Sequence, residues 1–173
     1  MSCAGCRRPG IKGDSHILFL VILLFLSCDK SARDFSPSPA VEVEQSDSEL
    51  EKIADNARRA LPTFFRNLAR PEAGANNFYV KYPLAGDGAV EQVWLGDIRV
   101  KDGVYYGRLA NTPSLPGDRK KDKLIIFYPD KITDWMYIQD GKIIGGRSIK
   151  YLLEKTPETQ RSENQRKILR MFE

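Results

Sequence analysis

The sequence predicts an α+β domain: an N-terminal amphipathic helix packed on a curled antiparallel sheet, with a short helix after the last strand. A small SH3-like barrel is one form that the curl can take. Three observations carry this reading. Apolar residues recur at helical spacing from Leu50 to Leu68, and the period changes to two from Asn76. Residues 132–148 then compress an aromatic strand, a tight turn, an apolar strand and a Gly-Gly break into seventeen positions.

The helix is expected to start at Ser48-Glu49-Leu50-Glu51, a capping box in which the Ser48 hydroxyl accepts an orphan amide and Glu51 reaches back. Leu50, Ile53, Ala54, Ala57, Leu61, Phe64, Phe65 and Leu68 form its apolar stripe. Pro62 removes an amide and is expected to kink the helix or start a second one. The stripe is read as the cover of the sheet that follows.

Phe78, Val80 and Tyr82 alternate with Tyr79 and Lys81, and Val90 to Val100 makes one or two strands around Gly96-Asp97. Lys101-Asp102-Gly103 turns into Val104 to Leu109. A loop runs from Asn111 to Lys123, and Leu124 to Tyr128 is a short strand. In the last hairpin Asp140-Gly141 supplies the pair that a two-residue turn prefers, because both central positions need positive φ. Gly145-Gly146 ends the second strand, and Ile149, Leu152 and Leu153 return to helical spacing. The C-terminal residues are charged, with Ile168, Leu169, Met171 and Phe172 as a cluster on which a last helix can dock.

Ahead of this domain, Arg7, Arg8 and Lys12 precede ten unbroken apolar residues, Ile17 to Leu26. That run is short for a membrane span and fits the core of a signal peptide. Leu24-Phe25-Leu26-Ser27-Cys28 resembles a bacterial lipoprotein cleavage box, which implies an acylated Cys28 as the first mature residue. Several acyl chains anchor a protein stably where one is marginal. The expected organisation is a lipoprotein signal peptide over 1–27, a flexible tether over 28–46, the α+β domain over 47–158 and a charged tail or helix over 159–173. Ser36-Pro37-Ser38-Pro39 marks the tether, whose flexible residues span roughly 20–25 Å. The expected location is the cell envelope, on the periplasmic side in a diderm bacterium, with the membrane as first partner.

Composition excludes more than it assigns. The chain carries 27 basic and 23 acidic residues, and removal of 1–27 leaves a net charge of +2, so no polyanionic partner or nucleic acid is called for. His16 is the only histidine, and Cys3, Cys6 and Cys28 are the only cysteines. The mature domain therefore lacks His-based or thiol nucleophile pairs and zinc sites built on those residues. Cys3-Ala-Gly-Cys6 falls in the segment expected to be removed. No metal and no cofactor are expected. Glu91 and Asp134 could form an acid–base pair, or each could bind backbone amides. Arg119, Lys120, Lys121 and Lys123, with Tyr105 and Tyr106 as stacking partners, read as a solvated loop or an anion site. Glu91, Trp94, Asn111, Asp134, Trp135 and Arg147 make the candidate binding surface, where polar groups stand beside two tryptophans. The competing reading puts both rings in the core and the polar groups on turns.

Four blocks carry a family resemblance across residues 76–155: Asn77-Phe78-Tyr79-Val80-Lys81, Glu91-Gln92-Val93-Trp94, Gly107-Arg108-Leu109-Ala110-Asn111-Thr112-Pro113, and Ile132-Thr133-Asp134-Trp135-Met136-Tyr137 with Gly141 and Gly145-Gly146. In order and spacing they resemble the YegJ-type bacterial family called domain of unknown function 2314. The family usually continues Gly-Gly with an aromatic and Thr, where Arg147-Ser148 stands here, and tends to have Gly where Asp122 stands. The resemblance implies no activity. The expectation is a non-enzymatic binding module that contacts an envelope protein or polymer. The alternatives are an envelope hydrolase using Glu91 and Asp134, and an immunity-type inhibitor of a toxin or enzyme.

Overall fold

A computed structural model describes residues 47–86, 88–115, 117 and 120–172. The expected signal peptide, Cys28 and the tether before Asp47 lie outside these, as do Asp118 and Arg119 of the basic loop. The elements in chain order are α1 (Ser48–Ala69), β1 (Ala75–Gly86), β2 (Ala89–Lys101), β3 (Val104–Leu109), β4 (Leu124–Phe127), β5 (Asp134–Gln139), β6 (Lys142–Gly145), α2 (Arg147–Lys155) and α3 (Glu163–Arg170). The fold is α+β.

All strand pairs are antiparallel, in the order β4-β3-β2-β1-β5-β6. The sheet is open, with β4 and β6 at its edges, so the barrel does not form. Helices cover both faces, and a sheet covered in this way need not close on itself to bury apolar surface. On one face Leu61 and Phe64 of α1 pack with Val80, Val93, Leu95, Leu109 and Tyr137. On the other, Trp94, Met136, Ile138 and Ile143 pack with Leu153 of α2 and Ile168 of α3. The strand alternation that separates Val80 from Tyr79, and Leu95 from Trp94, produces this division.

α1 begins one residue earlier than the capping box implies. Asp47 is the N-cap: its carboxylate accepts the Glu49 amide at 3.0 Å and its carbonyl accepts the Glu51 amide at 3.2 Å. The same carboxylate accepts the Tyr151 hydroxyl at 2.8 Å and the Lys155 ammonium at 2.8 Å, which fixes it in the capping position. Pro62 neither ends α1 nor starts a second helix. It lies on the exposed side, while buried Leu61 and Phe64 hold the helix to the sheet around it. A full capping box occurs instead at α3, where Ser162 and Gln165 each accept the other's backbone amide.

β2 is one strand, bulged between Gly96 and Arg99 with Asp97 at φ 47°. Asp140 and Gly141 both adopt positive φ, as the two-residue turn requires. Gly145, at φ +83°, is needed for a second reason: a Cβ there would strike the carbonyl oxygen of Trp135. After this turn α2 and α3 fold back, and the Met171 carbonyl accepts the Ile143 amide of β6 at 2.7 Å.

Candidate functional site

The most buried polar group is Asp134, 2 % exposed at the start of β5. Its Oδ1 accepts the Trp135 amide at 2.8 Å, and its Oδ2 accepts the Ser148 amide at 2.7 Å. Ser148 is in the first turn of α2, whose N-cap, Gly146, has no side chain to offer the orphan amides. Asp134 supplies that acceptor from a neighbouring strand, with its charge at the positive end of the helix. Lys81 stands opposite Asp134 in the β1–β5 register and donates from Nζ to the Ser148 Oγ at 3.2 Å. Burial pushes the Asp134 carboxyl up, against the Ser148 and Trp135 hydrogen bonds and the Lys81 charge. Burial likewise pushes the Lys81 ammonium down, against the attraction of Asp134.

A serine hydroxyl beside a lysine amine is a nucleophile–base geometry in principle. Here Ser148 is 3 % exposed and closed in by the sheet and α2, so the cluster works as a joint between strand and helix. Among the described residues no three His, Cys, Asp or Glu side chains converge to hold a metal ion.

The six residues of the expected surface divide between the two faces. Trp94 is buried with α2 and α3, on the side of Asp134. Trp135 points the other way, against Phe64, and its Nε1–H donates to the Ala57 carbonyl of α1 at 3.1 Å. Glu91 sits opposite Leu84 and accepts the Ser114 and Leu115 amides at 2.8 and 2.9 Å, clamping the loop after β3. Asn111 buries its Oδ1 with no donor among the described residues. Arg147 is exposed at the start of α2. Lys120, Lys121 and Lys123 are exposed, whereas Tyr105 packs against Phe65 and Phe127, and Tyr106 alternates to the opposite face.

A different surface is open. The α2–α3 cover lies over β1, β5, β6 and Trp94 and leaves β3 and β4 bare on that face. Leu124, Ile126 and Tyr128 alternate along β4 and are 49 %, 54 % and 62 % exposed. Arg108, opposite Leu124, shares the Asp97 carboxylate with Arg99 at 3.2 and 3.1 Å. The sequence marks Leu124 to Tyr128 as a short apolar strand, and since all five residues are apolar it does not say which of them face outward. The position of β4 at an edge depends on long-range pairing and is not legible there.

The family model described as "Uncharacterized protein conserved in bacteria (DUF2314)" matches residues 47–168. The chain belongs to this family. The DUF2314 match runs from the N-cap of α1 to Ile168 in α3, so it spans both helical covers and the whole sheet. "Uncharacterized protein YegJ" of Escherichia coli strain K12 is 29% identical over 115 residues, 66% of this chain and 74% of that one. A "Putative ankyrin repeat protein" of Neisseria meningitidis serogroup B is 31% identical over 131 residues, 70% of this chain and 51% of that one. The chain thus spans about half the length of the Neisseria relative. No solved structure matches.

Proposed function

We propose that this chain is a non-enzymatic binding module of the bacterial cell envelope, tethered to a membrane by lipid on Cys28. The observation that carries the binding reading is the bare edge of the sheet, where Leu124, Ile126 and Tyr128 stay in water although α2 and α3 bury Trp94, Met136, Ile138 and Ile143 on that face. Large apolar side chains grouped on one surface mark interaction sites. The non-enzymatic part draws support from the two carboxylates best suited to catalysis. Glu91 and Asp134 point to opposite faces, and each already accepts two backbone amides. The envelope part rests on the apolar run and the cleavage box that ends at Cys28. No helix among the described residues is long and apolar enough to cross a membrane.

The test is the intact mass of the protein taken from its own membranes, with labelled palmitate fed to cells. A diacylated or triacylated chain beginning at Cys28, with label lost in Cys28→Ala, is the expected result. An unprocessed chain in the soluble fraction, or label that persists in Cys28→Ala, overturns the tether.

A further inference from the structure

We propose that β4 takes up a seventh strand, an extended segment of a partner protein whose side chains alternate between apolar and acidic. This rests on the binding-module reading and names the ligand of the same surface. Three observations meet at this edge.

The first is the ladder. The Leu109 amide donates to the Lys123 carbonyl at 3.0 Å, and the same register pairs Gly107 with Ile125 and Tyr105 with Phe127. Hydrogen-bonding direction alternates along an antiparallel strand, so Leu124 and Ile126 turn their amides and carbonyls outward. An edge strand that presents such groups is a template for another chain, and β4 carries neither a proline nor an inward charge to discourage one.

The second is the side-chain pattern. Leu124 and Ile126, half exposed on one face, give flanking contacts for alternate apolar side chains of an added strand. In strand addition the main chain supplies affinity and alternate side chains supply specificity.

The third is charge. Residues 120–131 hold four lysines and two aspartates, and Lys121 and Lys123 are exposed beside the start of β4. In strand alternation Lys123 belongs to the face opposite Leu124 and Ile126. An added strand with apolar residues beside Leu124 and Ile126, and carboxylates toward the lysine end of the edge, therefore matches this pattern. Pairing of β4 with the β4 of a second copy brings the same net positive charge together, which disfavours that edge-to-edge dimer.

The experiment uses the full chain and a fluorophore-labelled Ser-Val-Glu-Val-Glu-Val-Ser peptide, with Ser-Val-Lys-Val-Lys-Val-Ser as control. The glutamate peptide is expected to bind saturably and to slow hydrogen exchange at the Leu124 and Ile126 amides. Ile126→Glu and the pair Lys121→Glu with Lys123→Glu should each weaken binding about tenfold, which corresponds to about 1.4 kcal/mol. All three positions are exposed, and an unchanged melting temperature checks that each variant folds. Equal binding of the lysine peptide, slowed exchange only at other strands, or no binding overturns the proposal. A concentration-dependent dimer that Ile126→Glu dissolves also overturns it, because a second copy then holds the edge. Any of these results with an intact acylated mass at Cys28 refutes the β4 inference and leaves the tether standing.

Discussion

Asp134 accepts the backbone amide of Ser148 at 2.7 Å, fourteen residues further along the chain. A strand residue thereby caps a helix whose own N-terminus, Gly145-Gly146, offers no side chain. The first strand joins the same point, because Lys81 lies in register with Asp134 and reaches the Ser148 hydroxyl. The joint fixes how α2 leaves the sheet, and so which half of that face stays uncovered.

Asp134→Ala should leave the buried Lys81 charge without its neighbouring carboxylate, and the Ser148 and Trp135 amides without their acceptor. Removing one member of a buried charged pair costs about 3–5 kcal/mol, to be read from urea unfolding. Ser148→Thr keeps the hydroxyl that Lys81 uses and adds one buried methyl, an overpacking cost of about 1–3 kcal/mol, so it should cost less than Asp134→Ala. A loss below about 1 kcal/mol for Asp134→Ala, the value of one ordinary hydrogen bond, would contradict the joint.

Gly145 and Gly141 separate steric from conformational cost. Both have positive φ, but only at Gly145 would a Cβ meet the Trp135 carbonyl and ring; Gly141 has open space around it. Gly141→Ala should cost about 1–2 kcal/mol for the left-handed backbone alone. Gly145→Ala should cost clearly more, and equal melting-temperature drops for the two variants would refute the close approach.

Acid should loosen the clasp between α1 and α2. The Lys155 ammonium, and after it the Tyr151 hydroxyl, hold the Asp47 carboxyl down at about 2 from an ordinary 3.8. A carboxyl depressed on folding contributes stability that is present in full above its unfolded pKa and lost as the pH falls through its folded one. The stability difference between the parent and Asp47→Asn should therefore be constant above about pH 4. It should shrink between there and pH 2. A difference that does not change over that interval would show that Asp47 is not held as described.

Trp135→Ala should empty the centre of the α1 face, where the ring lies 5.4 Å from Phe64 and stacks 6.2 Å from Tyr137. Its indole also donates to Ala57. Removal of a large aromatic costs about 3–5 kcal/mol. Trp135→Phe keeps most of the packing and loses the hydrogen bond, so it should cost about 1 kcal/mol. The reverse order in chemical unfolding would place the ring outside the core.

Where local chemistry decides, the sequence is legible. Asp140-Gly141 and Asp102-Gly103 dictate positive φ at both central positions of their turns, and both pairs adopt it. The stripe of α1 and the alternation of β1 follow from period alone. The helix start is off by one because Asp47 and Ser48 are both good caps, and only Tyr151 and Lys155, over a hundred residues away, favour Asp47. The barrel fails for a similar reason: pairing of β5 with β1 is long-range, and no local signal states which strands are left at the edges. The sequence points to a recognition surface beside the tryptophans, yet Trp94 and Trp135 serve opposite cores. Lys81, 67 residues from Ser148, joins its partners only through sheet register.

The most direct test places a photo-crosslinking residue at position 126 in cells and, as a control, at exposed Glu158 far along the chain. An adduct is expected from position 126 only, mapped by mass spectrometry to an extended acidic and apolar segment of an envelope protein. Adducts equal at the two positions, an adduct to a second copy of this chain, or none at position 126 would contradict strand addition at β4.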